Sequence, residues 1–273
     1  MGALTATSND FTSVRSRHRF TFVSLFTASL LASAANARAD VPSHDIGGGL
    51  HLAISQVRDD LLVPLRFSGP GAGISFGHAF DDGGFRFESR FRLTASVLFD
   101  RYGTTNAALL PNLDLGAHRH VTSFGDTQLA LGAFLSLKET VLYPMAWDDA
   151  HAYWLGVTSI GPSARLLTPM GKRHMALELG MPIVGLVARP PRHRLYKVDN
   201  LVNVGFWFSR FADEPKLTSV HELQALRLRA TWQGKGRGFR IDPFAELDFE
   251  TFSEPVRMVH VSLHLGAEAR FGL

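Results

Sequence analysis

Long runs of alternating apolar and polar side chains restrict this chain more than any other feature. From Phe85 to Phe99, the residues Phe85, Phe87, Ser89, Phe91, Leu93, Ala95, Val97 and Phe99 share one face of an extended strand. Arg86, Glu88, Arg90, Arg92, Thr94 and Ser96 share the other, with Leu98 the one exception. Side chains repeat every two residues only in a strand, so a helix is excluded here. The segments around 127–138, 175–187, 239–250 and 259–273 carry the same pattern. In the last, Val259, Val261, Leu263, Leu265, Ala267, Ala269 and Phe271 oppose His260, Ser262, His264, Glu268 and Arg270.

The alternating runs are long, roughly eleven to fifteen residues, where strands of soluble proteins cluster near five or six. A tilted strand needs about nine to eleven residues to cross a bilayer. No run of eighteen apolar residues follows Asp40, so spanning helices are not expected. Alternation alone fits two solutions. A sandwich turns its apolar faces inward, and a membrane barrel turns them out to lipid. Strand length favours the barrel.

Breaks rich in Gly, Pro and charge divide the chain into about eleven expected strands: 43–57, 64–80, 84–100, 110–121, 125–142, 152–167, 173–188, 199–211, 219–232, 238–250 and 257–273. Asp81-Asp82-Gly83-Gly84 is a strong hairpin signal. Pro182, inside 173–188, prefers an edge or bulge. Single-chain bacterial barrels have even strand numbers. The expectation is therefore an all-β, closed up-and-down antiparallel transmembrane barrel of 10 or 12 strands, with the sidedness of its loops open.

The first 39 residues read as an export signal. Arg15, Arg17, His18 and Arg19 precede the apolar stretch 20–35, and Ala37-Arg38-Ala39 offers a cleavage site before Asp40. The barrel domain is then 40–273. Segment 1–39 holds four of the 28 basic residues and one of the 25 acids, so its removal leaves 24 of each. The sequence pI of about 9.4 thus owes much to the leader, and nucleic-acid binding is not expected. With no cysteine, disulfide scaffolds and thiolate metal sites are excluded.

With its leader, its alternating segments and its C-terminal amphipathic strand 256–273, the chain resembles bacterial outer-membrane β-barrel proteins. The resemblance covers 40–273 and is architectural. It implies residence in the outer membrane of a Gram-negative-type envelope. It also implies that the assembly machinery reads the last strand, which carries Phe271 two residues before Leu273 on the same face. Membrane lipids are the other expected partners, with lipopolysaccharide phosphates a candidate for the basic stretch Arg189-Pro190-Pro191-Arg192-His193-Arg194. The chain is expected to be a monomer without cofactor or metal.

On this reading the lumen face carries Arg86, Glu88, Arg90, Arg92, Arg227, Arg229, Asp242, Glu246, Asp248, His260, His264, Glu268 and Arg270. A barrel this small is expected to be filled or narrow. Tyr143, Trp147, Tyr153, Trp154, Trp207 and Trp232 fall near strand ends, where headgroup-level aromatics belong. Enzymes of the resembled class place catalytic residues at strand ends. The nearest candidates are Asp114, His118, His120 and Ser123, where a base would have to reach the hydroxyl and be oriented by a third group. The bland alternative is lumen or rim histidines beside a turn serine. The favoured function is a non-enzymatic barrel, a narrow conduit or a structural surface barrel. The alternatives are an outer-leaflet lipid-modifying hydrolase of lipase or deacylase type, and a soluble periplasmic β-sandwich or ligand-binding barrel.

Overall fold

The computed structural model describes residues 43–60, 63–144, 151–188, 196–197, 215–234, 238–253 and 257–273. The chain separates into Met1–Ala39 and Asp40–Leu273, and the barrel lies in the second unit. Its strands are β1 (Ser43–Asp59), β2 (Val63–Asp82), β3 (Phe85–Phe99), β4 (Thr105–Phe124), β5 (Thr127–Pro144), β6 (His151–Met170), β7 (Arg173–Gly180), β8 (Val184–Ala188), β9 (Tyr196–Lys197), β10 (Lys216–Ser219), β11 (Leu223–Gly234), β12 (Gly238–Phe252) and β13 (Met258–Gly272).

Every pairing is antiparallel. The ladder runs from β6 through β5, β4, β3, β2 and β1 to β13, β12, β11 and β7, and β7 returns to β6. Ten strands therefore close the ring. β1 seals it against β13 over fifteen residue pairs, from Asp45–Gly272 to Asp59–Met258. Closure leaves no unpaired edge, which a bilayer would penalise.

The remaining short strands extend members of the ring. β7 and β8 both pair with β6, at 163–170 and 156–160, so they are one long strand interrupted at Met181–Ile183. Pro182 lacks the N–H a ladder needs. The chain stays attached through Met181 N donating to Pro162 O at 3.2 Å and Ile183 N to Ile160 O at 3.0 Å. β10 pairs with β8 in the same way that β11 pairs with β7, with the turn 220–222 between them. β9 pairs with His151 and Ala152 of β6.

The ring settles the strand number at ten. The expected strand 199–211 lies outside the described residues, and the ring closes without it. β4 begins earlier than expected, because Ala107 and Leu109 pair with Tyr143 and Val141. The break expected at 101–109 is therefore only the turn at 100–104. There Asp100 Oδ1 accepts the N–H groups of Tyr102 and Thr104, each at 2.8 Å. Desolvation pushes the Asp100 carboxyl up, but these donors outweigh it and hold it below the usual carboxylate range.

The two ends of the barrel differ. At the end that holds both Ser43 and Gly272, strands join through Gly83-Gly84, Gly125-Asp126, Gly171-Lys172 and 235–237. Gly83 and Gly84 have φ of 54° and 85°, the left-handed values a two-residue hairpin requires. At the opposite end 60–62 is short, but 100–104, 145–150, 253–257 and the segment 189–215, which holds β9, are longer.

The surface is inverted relative to a soluble protein. Leu50, Leu52, Ile54, Phe76, Phe91, Leu131, Leu263 and Leu265 are exposed around the outside, while Arg90, Glu246 and Glu268 are buried within. The sandwich alternative needs the reverse and is ruled out. At the short-turn end, Phe85, Phe124, Phe239 and Phe271 are exposed on the outer face. Phe239 and Phe271 pack with ring centroids 5.2 Å apart.

The expected aromatic girdle needs correction. Trp154 is buried against Val141 and Ala188, with Tyr143 packed on that cluster, so its ring is not a lipid-facing anchor. Trp232 is half-buried on the outer face near the short-turn end. Trp147, Trp207 and the side chain of Tyr153 lie outside the described residues.

Candidate functional site

The interior is built in two layers. Toward the short-turn end and through the middle, the inward faces of β1, β3, β11, β12 and β13 supply charges of both signs, matched by register. Arg229 lies opposite Glu246, and Arg227 opposite Asp248, across the β11–β12 ladder. Glu246 lies opposite His264, and Asp242 opposite Glu268, across β12–β13.

Glu246 is the hub. Its Oε2 accepts Arg229 Nη1 at 2.8 Å, and its Oε1 lies 2.6 Å from Arg92 Nη1 and 3.1 Å from Arg227 Nε. Arg229 continues to Glu268 Oε1 at 2.7 Å and lies 4.1 Å above the Phe244 ring. Glu268 also accepts Arg270 at 2.6 Å. Arg92 and Lys138 converge on Asp248 at 2.6 Å and 3.1 Å. Arg227 reaches Asp114 at 2.7 Å.

A second group lies near the short-turn end. Arg86 pairs with Glu88 and Asp81. Arg90 and Arg165 share Glu178, each at 3.4 Å. Arg240 holds Asp45 at 2.6 Å and Asp242 at 2.9 Å. Buried charges persist only when paired and hydrogen-bonded, and some of these pairs, such as Arg90–Glu178 and Arg240–Asp45, join strands far apart in sequence. Gly73 makes room for one of the inner rings, since a Cβ there would lie 2.6 Å from the His51 imidazole. His51 Nε2 in turn bonds Thr94 Oγ1 at 2.9 Å.

Above this ionic layer, toward the long-loop end, the inward side chains become apolar. Val57, Phe67, Leu98, Ala108, Leu142, Leu155, Val157, Val187, Leu223, Phe252 and Met258 form one buried cluster, with Leu65 packed on it. Sequence reasoning missed this layer. It treated Leu98 as an exception on a charged face, although each of these residues sits at the end of its strand's inward face. Among the described residues, two small cavities lie in the ionic layer. One of about 40 Å³ is bordered by Glu88, Arg90, Asp114, His118, Ser163 and Glu178. The other, of about 20 Å³, is bordered by Lys138, Asp248, His260 and His264. Each has room for only a few waters at most.

The four candidate catalytic residues separate. Asp114 is engaged with Arg227 inside the barrel. His118 Nε2 bonds Ser163 Oγ at 3.0 Å, also inside. His120 Nε2 bonds Ser123 Oγ at 2.9 Å, exposed beside the short turn Gly125-Asp126. His120 keeps the inward parity of Asp114 and His118 but lies at the barrel rim, and the register shift between His120 and Thr122 brings Ser123 onto the same face. Among the described residues no carboxylate bonds His120, so the orienting member of a triad is not supplied there. Nor does any group of three or more His, Asp or Glu among the described residues stand where it could hold a metal ion.

No protein-family model matches the chain, and no curated protein matches it at a significant level. Among solved structures it is similar to the outer membrane protease OmpT from Escherichia coli. The identity is 8%, covering 88% of this chain and 99% of that one, with a TM-score of 0.49. It is also similar to the translocator domain of the autotransporter NalP from Neisseria meningitidis, at 11% identity over 92% and 96% of the two chains and a TM-score of 0.36. The transport unit of the autotransporter AIDA-I from Escherichia coli matches at 8% identity over 92% and 97%, with a TM-score of 0.35. The architecture of this chain is a closed antiparallel barrel with an apolar exterior and an ionic interior, the arrangement of a transmembrane β-barrel.

Proposed function

We propose that the protein is an integral outer-membrane barrel with a sealed lumen, a structural surface barrel rather than an open conduit. The supporting observation is the filled interior. Among the described residues a cross-linked ionic layer is stacked under an apolar plug, and the cavities in the ionic layer measure about 40 Å³ and 20 Å³. An ion crossing this interior would have to displace paired charges and then pass through hydrocarbon, and both steps are costly. Short turns at one end and mostly longer connections at the other match the periplasmic and extracellular ends of such barrels. The end carrying Ser43 and Gly272 then faces the periplasm, and the work of the protein falls to its outward loops and outer wall.

Planar-bilayer recording tests this. The wild-type barrel is expected to be electrically silent at moderate voltage. Steady unitary currents from purified, heat-modifiable protein would show a conduit and overturn the sealed reading.

The exposed His120–Ser123 contact alone favours a second reading, a hydrolase. It lies at the short-turn end and lacks an orienting carboxylate among the described residues. Ser123→Ala is expected to leave the phospholipid and lipid A profiles of an expressing strain unchanged. A changed profile would revive the enzyme.

A further inference from the structure

The outer wall near the long-loop end carries an unusual row of arginines. Arg58 and Arg66 are direct partners across the β1–β2 ladder. Ser68 is the partner of Phe99 across β2–β3. Arg66 lies two residues before Ser68 and Arg101 two after Phe99, so both flank that pair on the outer face. The three guanidiniums border a groove of about 520 Å³ whose wall includes Ser68, Phe99 and Asp100.

Among the described residues the local acids neutralise Arg58 but leave Arg66 without a carboxylate partner. Asp60 pairs with Arg58 at 2.7 Å, and the Arg58 side chain remains 39% exposed. The Asp100 Oδ1 atom is engaged by the N–H groups of Tyr102 and Thr104. Arg101 lies 4.5 Å from the Tyr102 ring centroid and bonds its hydroxyl. Arg66 is exposed and has no carboxylate partner among the described residues. Like charges directly opposite across a ladder are destabilising, so this arrangement calls for an anion.

The position says which anion. Just inside the arginine row, the outer face is apolar and exposed, with Ile54 on β1 and Val97 and Phe99 on β3. A ligand that satisfies both parts has hydrocarbon chains lying on these residues and a phosphate at the guanidiniums, which bind phosphate in bidentate fashion. We propose that Arg58, Arg66 and Arg101 form a binding site for the phosphate of a membrane lipid in the leaflet at the long-loop end. The proposal rests on the membrane reading above. It gives the barrel a fixed lipid contact that does not involve the lumen.

The test is native mass spectrometry of the full chain released from detergent, with diphosphoryl lipid A as probe. The same measurement is made with monophosphoryl lipid A and with inorganic phosphate. The wild type is expected to retain diphosphoryl lipid A, to retain the monophosphoryl form less well, and to show no phosphate adduct. The double variant Arg66→Gln/Arg101→Gln is expected to lose retention about tenfold or more, because two charge-assisted contacts are removed. Arg66→Lys keeps the charge and is expected to restore most of it. Both variants point outward, and heat-modifiable migration confirms that they fold. Equal retention by the folded double variant overturns the site. So does retention that ignores the number of phosphates, or inorganic phosphate that binds as well as the lipid. Failure of the wild type to enter lipid vesicles is a separate result, and it would overturn the membrane reading itself.

Discussion

Replacing Glu246 by Gln will destabilise the barrel severely, by about 3–5 kcal/mol, the range for breaking a buried ion pair from one side. The carboxylate has side-chain exposure of 0% and faces Arg92, Arg227 and Arg229 at once. An amide of the same shape leaves the packing intact but leaves three guanidiniums crowded with one fewer counter-charge. The loss is therefore electrostatic, not steric. A residue four positions along the strand, on the same inward face, provides the control. Glu250 is just as buried but forms no ion pair among the described residues, so Glu250→Gln is expected to be neutral or mildly stabilising. Urea midpoints of the folded form, read by heat-modifiable migration, separate the two. Equal shifts for both substitutions would mean that the network around Glu246 is not what holds the strands in register.

The same contrast shows how far the sequence could be read. The alternation in 85–99, 239–250 and 259–273 was legible because each strand has one consistently apolar and one consistently polar face. It identified the outward and inward residues of those strands correctly, down to Phe91 outside and Arg90 inside. Register was not legible. Nothing local says that Arg229 meets both Glu246 and Glu268, since that follows from β11, β12 and β13 lying side by side with a particular stagger. The apolar plug was hidden for a related reason. Leu98, Leu142, Val57 and Phe252 each look like one irregularity at a strand end, and only closure of the ring gathers them into a layer. The strand number was ambiguous because the alternating stretch 199–211 reads as a strand, and the ring closes without it. The candidate Asp114, His118, His120 and Ser123 cluster failed because its members share a face but lie at different depths, with Asp114 and His118 held by interior partners and His120 and Ser123 at the rim.

Introducing a charge on the outer wall distinguishes a membrane barrel from a soluble one more sharply than any interior change. Leu52 lies midway along β1, between Ala72 of β2 and Leu265 of β13, and it is 69% exposed. In water, Leu52→Arg would be nearly neutral, since surface substitutions of exposed residues usually change stability by less than about 0.5 kcal/mol. In a bilayer, the same arginine at mid-depth on the lipid face costs about 2–4 kcal/mol. The expected result is a clear drop in the stability of the folded form in lipid vesicles. The effect should shrink steadily as the arginine is moved along the outer face toward the short-turn end, from Leu52 to Leu50 to Ile46. Depth dependence is the decisive part, because a packing defect has no reason to vary with distance from the middle of the barrel. A flat profile along β1, or no loss at Leu52, would show that this wall does not face acyl chains. The sealed-barrel function and the lipid site on the same wall would then fall together.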